Sequence, residues 1–296
     1  MKNKKLITLY YLILIFFFNV TAIAEKINYS SNTIKILENG KIISGEGDVQ
    51  ILIGENIFIN SEKFEYNKES GLYKIFKNVQ FKDKINNIKA TGSEFIFSIF
   101  DNKIISKKTS KVTYNETYKI DLNNFEYDIV NKKISSDDFV KIKDNINNYF
   151  ELYEFLFDLN TNKFLGKEIK FIDNQKNKFF FDEVVINTEN NKLYAKEIKF
   201  LDNQQNKYFL DEIMINTDND NLYGKDLNIE FNKSLFDNNN NDPRLKAKSI
   251  KIKDQSSFLK KGIFTSCSKD NDCPPWSIYA EEIEHDKIDQ TIKYKN

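Results

Sequence analysis

The chain has 296 residues, with 44 basic and 44 acidic side chains, so its formal net charge is zero. The two signs are mixed along the chain, which removes any charge-steering case for a nucleic-acid partner and predicts no basic stripe on one strand face. Aromatic residues make up 14% of the chain and favour strands, whereas the surplus of Asn, Lys and Ile carries little functional weight.

The first 24 residues read as an export signal. A basic head (Lys2, Lys4, Lys5) precedes an apolar run from Leu6 to Val20, and the small residues Ala22-Ile23-Ala24 follow. An A-x-A end of this kind places cleavage between Ala24 and Glu25. The rival is an uncleaved anchor, because about 20 apolar residues span a bilayer and Leu6 to Ala24 comes close to that. In either case the remainder leaves the cytoplasm, and no second apolar run of spanning length follows.

The middle of the chain repeats itself. Residues 164–192, FLGKEIKFIDNQKNKFFFDEVVINTENNK, are followed at once by LYAKEIKFLDNQQNKYFLDEIMINTDNDN at 193–221, with 17 of 29 positions identical. A third copy opens at Leu222. Such a period indicates a stack of units, none of which buries its apolar face alone. Apolar residues at alternate positions (Ile169 and Phe171, Val184 and Ile186, Ile198 and Phe200) predict strands with one buried face. The runs DNQKNK and NTENNK predict turns, so each copy is expected to hold two short strands. Triplets centred near Val49, Val79, Val112, Val140, Ile169, Ile198 and Leu227 carry the pattern at spacings of 30, 33, 28, 29, 29 and 29 residues. The predicted fold is therefore all-β, an elongated jelly-roll or solenoid-like stack of about seven two-strand rungs.

The two ends narrow this reading. Gly45-Glu46-Gly47-Asp48-Val49-Gln50-Ile51, Asn78-Val79-Gln80-Phe81 and the segment Tyr66 to Leu72 resemble strands of the OstA-like lipopolysaccharide-transport domain. The tail KGIFTSCSKDNDCPPWSIYAEEIEHDKIDQTIKYKN, from Lys261 to Asn296, is similar to the segment that joins jelly-roll to barrel in the LptD family of outer-membrane assembly proteins. After the signal peptide (1–24), the resemblance implies an OstA-like jelly-roll (25–260) and a Cys-loop with strands leading to an outer-membrane barrel (261–296). The chain ends where that barrel would begin, which leaves open a fragment, a split gene or a free-standing protein.

The function implied by the resemblance is passive transport of lipopolysaccharide, with lipid A acyl chains sheltered in an apolar β-groove, in the periplasm at the outer membrane. Ile51, Val79, Phe81, Ile169, Phe171, Ile198 and Phe200 would line the groove, and a solid core is the alternative for the same residues. Implied partners are an LptA-like bridge protein pairing with the edge near Thr33–Leu37 and Ile42–Ile53, and a barrel with its lipoprotein plug facing Ser277–Tyr294. A free-standing bridge of the LptA or LptC type, or a purely structural solenoid, stays open beside this. Cys267 and Cys273 are the only cysteines, and in an oxidising compartment they favour a disulfide over a metal site, which would need more ligands. The single His285 assembles no catalytic set and is expected to face solvent, so neither an enzyme nor a cofactor is anticipated. Asp182-Glu183 and Asp211-Glu212 recur in successive copies, which suits an exposed ladder better than one acid/base site.

Overall fold

The computed structural model describes residues 26–296 apart from 146, 173–175, 177, 188, 191, 203–204, 217–220, 234–240, 254–255, 270–275, 287–288 and 290. The predicted signal segment, its cleavage point at Ala24 and Glu25, and Cys273 therefore lie outside the described residues.

Twenty-two strands form one continuous, wholly antiparallel sheet. β1 (Ile27–Ser30) and β2 (Thr33–Leu37) both pair with β3 (Ile42–Ile53), and β4 (Ile57–Asn67), β5 (Leu72–Asp83) and β6 (Ile88–Ser98) follow as a meander. The strands then shorten: β7 (Lys103–Ser106), β8 (Ser110–Tyr114), β9 (Tyr118–Leu122), β10 (Phe125–Asp128), β11 (Lys133–Ser136) and β12 (Val140–Lys143). Long strands return with β13 (Tyr149–Asp158), β14 (Lys163–Ile172), β15 (Lys178–Asn187), β16 (Lys192–Leu201) and β17 (Lys207–Asn216). β18 (Asn221–Glu230), β19 (Arg244–Lys253), β20 (Ser256–Thr265), β21 (Ile278–Asp286) and β22 (Thr291–Lys295) complete the stack. β20 runs across position 260/261, so the tail continues the stack without a linker.

The short strands reveal the architecture. β6 pairs through Ile88–Gly92 with β8 and through Ile96–Ser98 with β7, so the sheet divides there into two arms. β8, β9 and β12 build arm 1, and β7, β10 and β11 build arm 2. β13 rejoins the arms, pairing with β12 through its first half and with β11 through its second. The arms face one another, because Phe81 of arm 1 lies 5.7 Å ring to ring from Tyr127 of arm 2, and Tyr114 lies 5.0 Å from Phe157. Every long strand thus crosses both arms and folds over at a vertex.

This corrects the expected unit. A 29-residue copy is a hairpin of two ten-residue strands, each bent once, rather than two short strands on one rung. The alternation slips at the vertex: Phe164 and Gly166 point inward, then Ile169, with Lys167 and Glu168 exposed between them. A strand that folds over must shift phase by one residue to keep apolar side chains inside on both arms. The register shifts at Glu46/Val49, Asn60/Lys63 and Phe76/Val79 are the same device in β3, β4 and β5. At several bends a residue takes left-handed backbone: Glu168 (φ 49), Glu197 (φ 50), Asp226 (φ 53) and Lys261 (φ 53). L-residues lose roughly 1–2 kcal/mol there. Glu197→Gly should accordingly raise stability by about 0.5–1 kcal/mol and Glu197→Val should lower it, read from urea midpoints at constant slope.

Candidate functional site

The inner surface between the arms is the one large apolar feature, and it changes character along the stack. From β3 to β12 it is filled. Ile59, Phe64, Ile75, Phe95, Phe125 and Tyr127 are each 0% exposed, and rings from both arms meet across the midline. One buried carboxylate belongs to this half. Asp83 accepts hydrogen bonds from the Tyr127 hydroxyl (2.6 Å) and the Asn86 side-chain amide (2.7 Å), and from the backbone amides of Ile85 and Asn86. Four donors satisfy a group that would be costly to bury unpaired. Burial and the Asp83 bond push the Tyr127 phenol well above its ordinary pKa, so this tie between the arms stays intact.

From β13 onward full burial is concentrated beside the vertex, at residues such as Ile169, Phe181, Val184, Ala195 and Ile198. Farther out, each arm presents a registered inner row that is only half-buried. On arm 1, Phe150, Phe171, Phe179, Phe200 and Tyr208 stand directly opposite one another on successive strands. Buried Ile229 and half-buried Leu245 and Phe264 continue that row. The ring centroids are 4.4, 5.4, 4.4 and 5.0 Å apart from Phe150 to Tyr208, the spacing at which aromatic pairs attract. On arm 2 the matching row is aliphatic after Phe164: Ile186, Leu193, Ile215, Leu222 and Ile252. Seven strand steps from β13 to β20 give an open trough roughly 34 Å long.

Where filled core meets trough, a cleft of about 460 Å³ opens between Tyr114, Tyr118, Ile142, Phe150, Phe157 and Phe164. The phenols along this face remain neutral: burial raises Tyr118 and Tyr208, and pushes Tyr149 up to about 12. The five-residue turns at the trough's edge are closed by Asp–Asn pairs. Asp144 accepts from the Asn148 backbone and side-chain amides at 2.8 Å each, and Asp202 does the same for Asn206.

All seven predicted lining residues face inward, but they divide into three sets. Ile51, Val79 and Phe81 belong to the filled half at 1–2% exposure, where the solid-core alternative holds. Ile169 and Ile198 floor the vertex, each at 2%. Only Phe171 and Phe200 stand on the half-buried row, which begins at β13. Phe150, Phe179 and Tyr208 escaped the sequence reading, because KFFF and KYFL follow polar turns and were assigned to no strand. Their signal was the second alternation, Phe179 and Phe181, offset by three from Val184.

Two other expectations change. His285 does not face solvent; it is half-buried on the arm 2 inner row, opposite Ser257 and Ile292. The outer positions of β19 also form a basic stripe that the mixed overall charge concealed. Glu183 and Glu212 do sit on an exposed ladder, paired with Lys196 (3.6 Å) and Lys225 (2.5 Å). Cys267 is buried; its backbone amide donates to Thr265 Oγ1, and its carbonyl accepts from Arg244 Nη1 at 2.6 Å. Among the described residues no group of three or more His, Cys, Asp or Glu is placed to hold a metal ion.

No protein-family model matches the chain, and no curated protein matches it. Among solved structures, one match is LptH, described as the LptA homologous periplasmic component of the conserved lipopolysaccharide transport device from Pseudomonas aeruginosa. It is 13% identical, covers 35% of this chain and 76% of its own, and has a TM-score of 0.32. Likeness at that level carries no functional argument, which must come from the residues themselves.

If the first half is a filled core and the second an open trough, truncation should separate them. Phe95→Ala should cost about 3–5 kcal/mol, as for a buried Phe in a closed core, and Phe200→Ala under about 2 kcal/mol, in urea unfolding of the two variants.

Proposed function

We propose that the chain shelters the acyl chains of lipopolysaccharide in the trough from β13 to β20, and passes them on without chemistry. The observation that supports this most is the half-buried inner row Phe150, Phe171, Phe179, Phe200 and Tyr208. Soluble chains normally close such a surface, and leaving it open costs roughly 25 cal/mol per Å² of apolar area. An acyl chain needs an apolar wall and no directed polar partner, and this wall offers just that. Carbohydrate and phosphate would remain in water beyond the rims.

The resemblance of Gly45–Ile51 to the OstA-like domain, and of Lys261–Asn296 to the LptD family, supports a role in the periplasm at the outer membrane, with the barrel and its lipoprotein plug as the receiving partners. Export with cleavage between Ala24 and Glu25, and a Cys267–Cys273 disulfide near the trough's far end, belong to the same reading. A bridge of the LptA type is the second reading. It is favoured by the edges of the stack, since β2 pairs with β3 alone and β22 with β21 alone among the described residues. Unpaired edges of this kind accept a neighbouring strand.

A photocrosslinking residue at Phe171, Phe179 or Phe200 should capture lipopolysaccharide in cells, whereas one at Phe81 or Phe95 in the filled half should not. Equal capture from Phe200 and from outward-facing Lys199 would sink the trough reading.

A further inference from the structure

The stack's duplicated strands make β19 readable position by position. In register, β19 occupies the same slot as β15 and β17, and its inner residues keep the pattern: Leu245, Ala247, Ile250 and Ile252 replace Tyr208, Leu210, Ile213 and Ile215 of β17. The outer residues do not. Phe209, Asp211, Met214 and Asn216 of β17 become Lys246, Lys248, Lys251 and Lys253, with Arg244 preceding them. β19 therefore carries five cations and β20 adds Lys260 and Lys261, with no carboxylate on either strand, whereas β21 beyond them is acidic, its Glu282 and Glu284 pairing with Lys295 and Lys293 of β22.

Local pairing leaves much of this charge available. Lys248 meets Asp226 at 2.5 Å, Arg244 is spent on the carbonyls of Asp242 and Cys267, and Lys251 lies 5.4 Å over the Tyr223 ring. Lys246, Lys253, Lys260 and Lys261 make no ion pair among the described residues. At Ser249 the alternating ladder of Lys and Glu along the vertex also loses its acid, so Lys225 and Lys260 flank a neutral residue.

Beside the cations lie exposed apolar side chains. Ile263 stands between Lys246 and Tyr279 in register, and Phe258 stands opposite Lys251. Their exposures are 45% for Ile263, 49% for Tyr279 and 39% for Phe258. Cations with aromatic and aliphatic side chains between them suit an interface that is charged at its surface and apolar beneath. The acidic row at the vertex of a second copy (Glu168, Asp182, Glu197, Asp211) would also match the charge, with exposed Leu165, Phe180 and Tyr194 beside it, so the oligomeric state separates that occupant from a bilayer.

We propose that the outer face of β19 and β20 is a seat for the surface of an anionic lipid bilayer, independent of the trough on the inner face. The full-length chain should cosediment with phosphatidylcholine vesicles containing phosphatidylglycerol far more than with phosphatidylcholine alone, and high salt should release it. Each cation near an anionic surface is worth roughly a fivefold change in partitioning, so Lys246→Gln, Lys251→Gln and Lys261→Gln together should weaken it about 100-fold. The apolar run at the N-terminus is common to both proteins and cancels in that ratio. Unchanged partitioning of the triple variant, or indifference to phosphatidylglycerol, overturns the proposal. So does a triple variant that loses a dimer in sedimentation equilibrium while binding vesicles as before, because the stripe would then seat a second copy. Phe200→Glu serves as the control: it should abolish lipopolysaccharide capture in the trough and leave vesicle binding unaltered, so the two readings fail separately.

Discussion

The one-residue slip in apolar alternation at each vertex is the constraint on which the rest of the molecule depends. A flat strand of ten residues would offer one apolar face to one partner. By bending, each strand offers two short apolar faces to each other, so the chain supplies both walls of its own interior. The slip leaves two adjacent residues outside at every bend, which is where the charged dipeptides of the repeat fall: Lys167-Glu168, Asp182-Glu183, Lys196-Glu197, Asp211-Glu212 and Lys225-Asp226. Their cross-strand pairing is a consequence of the bend and contributes modestly, since exposed pairs are worth about 0–1 kcal/mol. The left-handed residues at alternate bends are a small strain accepted for the same reason.

Given that geometry, side-chain size decides whether the interior closes. In the first half, rings reach across: Tyr29 to Phe64 at 5.2 Å, Phe81 to Tyr127 at 5.7 Å. In the second half small residues recur beside the vertex, namely Gly166, Ala195, Gly224 and Ala247, so the arms meet closely there. A side chain at Gly224 would lie 2.3 Å from Leu210 Cδ2 and 2.9 Å from Ile250 Cγ2, which shows how little room the vertex keeps. The outer rings of arm 1 stack along the row, on neighbouring strands, instead of reaching arm 2. The same bent strand thus makes a solid core in one half and a trough in the other. The filled half also ends the trough, because Tyr114 and Phe157 meet edge to face at its head.

Much of this was legible in the chain itself, and the failures have physical causes. The 29-residue period, the strands and the Asp–Asn turns follow from local chemistry, and all were readable. The bend was not, because a slip of phase looks like the end of one strand and the start of another. Phe179 and Tyr208 were lost with it, although they stand at the centre of the aromatic row. Solid core and open groove are also indistinguishable by alternation, which reports only the inward direction of Ile51 and Phe200 and not what stands across from them. His285 was misplaced because its neighbours are charged, and its face is set by the register with Ser257.

Why β19 departs from its duplicated neighbours is best seen by separating the two faces. Duplication copies both, and inside the stack the copy is held by packing: a polar residue at Leu245 or Ile250 would be buried against apolar rows with no partner. Outside, nothing in the fold restrains the choice, so β15 and β17 carry Phe, Asp and Val or Met at positions where β19 carries only Lys. Local contacts account for only part of that change, since Arg244, Lys248 and Lys251 have partners while Lys246 and Lys253 make no ion pair among the described residues and like charges along one strand repel. A sheet edge guarded by Lys would be a sufficient structural reason, but β19 is an interior strand, paired with β18 on one side and β20 on the other. The two unpaired cations of β19, Lys246 and Lys253, are the ones left for the proposed bilayer, while the residues behind them still line the trough.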